Sequence, residues 1–293
     1  MKKPNEAGEI MVLMYHNLTE EEPEKIWDRS IAGFKSDLQK LYDNGYRILS
    51  MKDLVENNIT TEAGYTPVVI TFDDGYASNL SLEKDADGNL VPKKDTAVDI
   101  INKFAETNQD FGVGGLFYIC SGENFEPFKG EGTIKERLAY LLDNGYELGQ
   151  HTVNHPFLDK LTEQEFISEM ENAQNFIDEN TDNYETLTFA YTYGVMPQEE
   201  SMKHISYKAA LLAGGHAEHT ANPAHIKYDR LRVPRIVGAD SIDGDLAWYI
   251  NYYNENPHLR YISDGDPDTI TVPKEEEKNI NKSILENKKL LIY

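Results

Sequence analysis

Two adjacent carboxylates, Asp73 and Asp74, close an apolar run, and two histidines, His151 and His155, stand four residues apart further along the chain. Carboxylate oxygen and imidazole nitrogen are the ligands that divalent cations such as zinc take. One carboxylate and two imidazoles fill three coordination positions and leave others open for water and substrate. A second carboxylate beside the first, kept off the ion, is placed to move a proton. Each motif also has a bland reading: Asp-Asp-Gly starts turns or caps helices, and a His-x-x-x-His pair can be structural. Together, each at the end of a strand, they point to a site.

The flanking sequence says how they must be held. Val68 to Phe72 is a β-branched, apolar run of strand length. Neighbours in a strand point to opposite faces, so Asp73 and Asp74 can share a cavity only if the strand ends there, and Gly75 lets the backbone turn. Tyr146 to Gln150 reads as the strand that delivers His151, and Pro156 disfavours helix at His155, which places the pair on a loop. His16 directly follows a third apolar run, Ile10 to Tyr15. Polar groups at the carboxyl ends of apolar strands are where α/β proteins build their sites.

Thr71-Phe72-Asp73-Asp74-Gly75 and His151-Thr152-x-x-His155 resemble the first two motifs of the polysaccharide deacetylases (carbohydrate esterase family four, chitooligosaccharide deacetylase-like). Val12-Leu13-Met14-Tyr15-His16 is similar to the opening of a circularly permuted branch of that family, in which the histidine acting as catalytic acid comes first in the chain. Phe189-Ala190-Tyr191-Thr192-Tyr193-Gly194 resembles the third motif, with Thr192 where proline is usual, so that the ring's rigidity is missing from this turn. Leu231 to Val237 is similar to the later segment that contributes an arginine beside the site.

The resemblance covers roughly residues 8 to 240 and implies a distorted, incomplete (β/α) barrel. It implies Asp74, His151 and His155 as metal ligands, Asp73 as general base and His16 as general acid. The Tyr193 backbone N–H is implied as an oxyanion donor, and Arg235 as a group tuning Asp73 or His16. The reaction implied is metal-dependent removal of N-acetyl groups from an N-acetylhexosamine polysaccharide or peptidoglycan, at an extracellular or cell-surface location. Zinc comes first from the ligand types, with cobalt, nickel or manganese as alternatives. The rival readings are an O-acetyl esterase, a glycan-binding module of the same fold that has lost catalysis, and an iron(II) oxygenase using the same ligands. The last would leave Asp73 without a task.

The remaining chain sets bounds. At 293 residues, with 40% hydrophobic and 27% charged content, it fits a soluble globular protein with residues 8–240 catalytic, including the permuted segment 8–60, and 241–293 an extension packed on that domain. A formal charge of −23 argues against a nucleic-acid partner. No run is apolar enough for a membrane span, and Met1-Lys2-Lys3-Pro4 is followed by no signal core. Cys120, the single cysteine, ends the apolar run 116–119 and reads as a buried structural thiol. Helices are expected over 34–44, 51–57, 96–105, 133–144 and from the Thr162-x-x-Glu165 capping box to about Glu179. In the tail, 260–262, 269–272 and 290–293 read as short strands. Asp85 to Asn89 faintly matches a calcium loop but lacks its distal glutamate and reads as a surface turn. His216-Ala217-Glu218-His219 reads as solvated loop rather than as a second metal site. This strand–helix alternation points to an α/β fold with a parallel sheet.

Overall fold

The apolar runs at 11–15 and 66–72 become adjacent strands at the centre of one sheet. In this computed structural model, which describes residues 3–216 and 218–293, β1 (Met11–Tyr15) pairs in parallel with β3 (Thr66–Phe72), in register from Met11 opposite Val68 to Tyr15 opposite Phe72. Every residue of both strands is buried, as expected of parallel strands covered on both faces. The other members are β2 (Tyr46–Ile48), β4 (Leu116–Ile119), β5 (Glu147–Gln150), β6 (Thr188–Ala190), β7 (Ala209–Leu211) and β8 (Ile236–Val237). The eight strands run in the order β7-β6-β5-β4-β3-β1-β8, with β2 against the first half of β3 on the same edge as β4, and every pairing is parallel. The sheet is an open, curled half-barrel. Its edges approach where Val233 bridges Leu211 and Ile236 pairs with Leu13.

Alternation along the strands sorts their side chains to two faces. Met11, Leu13, Tyr15, Val68, Ile70, Phe72 and Phe117 join the main core under the helices. Ile10, Val12, Val69, Leu116 and Tyr118 join a second core with Ala190, Leu211 and Val233. Positions 69, 71 and 73 share a parity, so β3 leads Asp73 out on the face opposite the main helical core.

The helices are α1 (Ile31–Asp43), α2 (Met51–Val55), α3 (Ala97–Thr107), α4 (Ile134–Asp143), α5 (Glu163–Asn180), α6 (Glu199–Met202) and α7 (Leu246–Glu255). Ser30, Ser50, Thr96, Thr133 and Thr162 cap α1 to α5 in turn, the last two through full capping boxes. The sequence did not announce α7, whose Leu246, Ile250 and Tyr253 enter the main core beside Phe34, Leu38 and Leu41. Two tail expectations hold: Thr269–Val272 and Lys289–Ile292 pair in parallel. The expected strand at 260–262 does not form. Arg260 and Ile262 make single bridges to Glu9 and Asn5, one parallel and the other antiparallel, so the two cannot join into one ladder. Asp85 caps a surface turn between antiparallel Leu82–Lys84 and Leu90–Pro92, accepting from the N–H groups of Asp87 and Asn89. Among the described residues no helix is long and apolar enough to cross a membrane.

Candidate active site

The carboxyl ends of β1, β3, β5 and β6 open onto one cavity of about 250 Å³, with His16, Asp73, Asp74, His151, His155, Tyr193 and Arg235 all in its wall. All seven residues singled out from the sequence are thus brought together. From residue types alone, Gly75 is the one residue expected to make the turn that allows this. The structure gives it to Asp74 as well: Asp74 sits at φ 72° and Gly75 at φ 77°. This left-handed step swings Asp74 back toward the side that Asp73 already faces, where an unbroken strand would have pointed it away.

Asp73 is almost fully buried and is gripped by Arg235 from two directions, with Nη1 donating to Oδ1 at 2.6 Å and Nη2 to Oδ2 at 2.8 Å. Arg235 also donates through Nε to the Leu212 carbonyl and through Nη1 to Thr71 Oγ1. Burial alone would raise the proton affinity of Asp73. The guanidinium of Arg235 outweighs it and holds the carboxyl far below the usual carboxylate range. His16 Nε2 lies 3.8 Å from Asp73 Oδ2. Its ring lies beside Trp27, 6.1 Å between centroids, and its Nδ1 is buried with no hydrogen-bond partner among the described residues.

Across the cavity, His151 Nε2 and His155 Nε2 stand 3.5 and 3.4 Å from the same oxygen, Asp74 Oδ1. That oxygen is buried and accepts no hydrogen bond among the described residues. His151 Nδ1 lies 2.8 Å from the Ala190 carbonyl, which calls for Nδ1–H and leaves Nε2 as a lone-pair donor toward the cavity. Burial pushes the His151 pKa down to about 3 and also lowers that of His155, so both rings are neutral. Burial raises Asp74, against the opposing pull of His16. A buried carboxylate oxygen without a donor, faced by two neutral imidazole nitrogens, is a donor set that fits a divalent cation.

Cys120 Sγ lies within 4.8 Å of ligand atoms of Asp74 and His151, and by proximity alone it competes with His155 for a place in this set. Its thiol, however, donates to the His151 carbonyl at 3.2 Å, and burial holds its pKa well above the ordinary thiol value. His155 Nε2, 3.4 Å from the same Asp74 oxygen that His151 faces, is the other candidate for the third position.

The histidine loop is built by residues with no local sequence signal. Glu169 on α5 accepts from the N–H groups of Val153 and Asn154 at 2.9 Å each. Gln150 Oε1 accepts from Thr152 N–H, and Thr152 Oγ1 accepts from His155 N–H. Thr152 (φ 67°), His155 (φ 52°) and Tyr193 (φ 55°) join Asp74 as non-glycine residues in the left-handed region, a concentration of backbone strain of the kind that functional sites hold. The cavity mouth is aromatic: Tyr193 stacks on Phe157 at 4.0 Å and packs edge-on against His155 at 4.3 Å, while Trp27 and Tyr76 are exposed nearby. Trp27, one of two tryptophans, could have been suspected from its place in an otherwise polar segment. The later histidines lie elsewhere: His204 pairs with Glu163 and His216 packs on Tyr249. Ala217 of the 216–219 cluster lies outside the described residues.

The sequence profile of polysaccharide deacetylases matches residues 61–209, just over half of the 293 residues, and the chain belongs to that family. It is similar to YxkH of Bacillus subtilis (strain 168), whose name assigns it to the polysaccharide deacetylases, with 24% identity over 205 residues. That alignment covers 69% of this chain but only 62% of YxkH. The fold is similar to that of the Streptococcus pyogenes deacetylase PplD in complex with acetate, with a TM-score of 0.60 and 20% identity over 85% of this chain and 98% of that one. IcaB from Ammonifex degensii gives 0.57 and 18%, over 84% and 97% respectively. The matched segment contains Asp73, Asp74, His151, His155 and Tyr193. His16 and Arg235 lie outside it and reach the site only through the fold.

Proposed function

We propose that the chain is a metal-dependent hydrolase that removes N-acetyl groups from an N-acetylhexosamine-containing polysaccharide or peptidoglycan. Asp74, His151 and His155 would hold the cation, zinc by ligand type. When bound, it supplies Lewis acidity toward an acyl carbonyl and a nearby water. The observation that carries this reading is the division of labour between neighbours: Asp74 Oδ1 faces two imidazoles without a donor, while both oxygens of Asp73 are engaged by Arg235.

In this reading Asp73, anchored away from the ligand set, takes the proton of the attacking water. Its pairing with Arg235 keeps it ionised, and so able to accept a proton, at any working pH. The Tyr193 N–H, which has no acceptor among the described residues, donates to the oxyanion that forms at the acetyl carbon. His16, within 3.8 Å of Asp73, gives a proton to the sugar nitrogen as the C–N bond breaks, because an unprotonated amide nitrogen leaves poorly. The aromatic rim of Trp27, Phe157 and Tyr193 offers flat faces for sugar rings. A polymeric glycan substrate goes with action outside the cell or at its surface.

Acetate release from chitin oligomers, poly-N-acetylglucosamine, peptidoglycan and an O-acetylated glycan tests the reading. Release from an N-acetylated polymer is expected, with Asp73→Asn retaining the metal and losing about 10²–10⁴ in rate, and His151→Ala losing both. Turnover of only the O-acetyl substrate would convert the assignment to an esterase.

A further inference from the structure

We infer that Thr192 is a positioning residue whose hydroxyl locks the turn presenting the Tyr193 N–H onto the loop presenting His155. The inference rests on the roles proposed above for those two groups. Thr192 is fully buried, and its Oγ1 donates to the Pro156 carbonyl at 2.5 Å. Among the described residues this is the one hydrogen bond between segments 152–157 and 191–195.

Each segment is otherwise held from its own side. The Tyr193 turn is closed by Gly194 N–H to the Tyr191 carbonyl and Val195 N–H to the Thr192 carbonyl. The histidine loop is held by Glu169 and by Thr152 Oγ1. Neither set fixes the distance between His155 and the Tyr193 amide. Both residues sit in the left-handed region, at φ 52° and 55°, a conformation that persists only where surroundings over-determine it. The Tyr193 ring touches the His155 ring from the exposed side, whereas Thr192 ties the two backbones from the buried side. A proline at position 192 would stiffen its own turn but has no donor with which to reach across. The hydroxyl is therefore this chain's means of holding an oxyanion donor in register with a ligand, and a misplacement of about 1 Å at such a site costs on the order of 10²-fold in rate.

The test compares wild type, Thr192→Val and Thr192→Ser in three measurements: steady-state acetate release, zinc titration, and amide hydrogen exchange of 152–157 and 191–195. Thr192→Val is expected to lower kcat about 10- to 100-fold with KM within about twofold. It weakens zinc binding about tenfold, as loss of a ligand-orienting contact does, and speeds exchange in both segments together. Thr192→Ser stays within about threefold of wild type on every count. Should Thr192→Val not fold, Thr192→Ala carries the same expectation. Wild-type kcat and exchange in Thr192→Val, or a Ser variant as impaired as the Val variant, would overturn the inference. A wild type that releases no acetate from any glycan sinks the proposed function instead, and the exchange data still decide whether Thr192 couples the two segments.

Discussion

Replacing Arg235 by methionine removes the cation from a carboxylate that has almost no access to water. Asp73 and Arg235 are each 2% exposed and joined by two short hydrogen bonds. The next nitrogens facing Asp73 are His16 Nε2 and His151 Nε2, at 3.8 and 3.9 Å, both too distant to donate well. Breaking a buried pair by removing one partner costs about 3–5 kcal/mol, because the other charge stays buried and uncompensated. At about 2–3 °C per kcal/mol for a chain of this size, the melting temperature falls by about 6–15 °C. Asp73→Asn should cost a comparable amount by stranding Arg235, and the double variant should lose much less than the sum, with a coupling of at least about 2 kcal/mol.

The pH dependence has a defined sign. In wild type the Asp73 pKa is depressed, so the pair's stabilisation is complete above the unfolded carboxylate value and is lost only below about pH 3.9. In Arg235→Met burial, the largest influence left on Asp73, raises that pKa, so the deficit shrinks as pH falls from 8 to 5. Thermal melts of the four proteins across that range are the assay. Additive losses, or a deficit that grows on acidification, would refute the argument that Arg235 neutralises a buried Asp73.

Glu6, buried among Tyr261, Asp264 and Thr271, has its pKa pushed up by burial to about 7 from an ordinary 4.5. The folded state therefore keeps a proton that the unfolded chain releases, and about 3 kcal/mol of stability drains away as pH rises from about 4.5 to 7. Glu6→Gln should flatten that decline in pH-dependent denaturant melts. Leu246→Ala, at a fully buried site in the main core, should cost about 2–5 kcal/mol in urea unfolding, whereas a helix lying loosely on the surface would lose under about 1 kcal/mol. Thr162→Ala, which opens the α5 capping box, should cost about 1 kcal/mol and leave acetate release unchanged.

Much of the site was legible because its chemistry follows strand ends. The runs before His16, Asp73 and His151 are long or apolar enough to be read as strands, and residue type then names the candidates. The fold was legible where caps and periodicity coincide, as at Thr133 and Thr162. It was not legible at β7, where Ala209-Ala210-Leu211 has no β-branched residue and is made a strand by its neighbours β6 and Val233. Nor was α7, whose i, i+4, i+7 face of Leu246, Ile250 and Tyr253 is hidden among tyrosines and asparagines. The left-handed backbone at Asp74, Thr152 and His155 has no local signal: Asp and His adopt it only now and then, and β-branched Thr hardly at all. It is imposed by tertiary hydrogen bonds such as those of Glu169 and Gln150. The same holds for the Arg235–Asp73 pair, whose members lie 162 positions apart; the sequence marked Arg235 as a tuning group but left open whether its partner was Asp73 or His16.

The most direct test of the central claim is an anomalous-scattering map from crystals grown with zinc and an N-acetylated oligosaccharide. One peak is expected about 2.0–2.2 Å from an Asp74 oxygen, His151 Nε2 and His155 Nε2, with Asp73 still clasped by Arg235 and the oligosaccharide's acetamido group between the ion and His16. A peak on Cys120 in place of His155, Asp73 drawn into the coordination shell, or no bound ion at saturating zinc would contradict it.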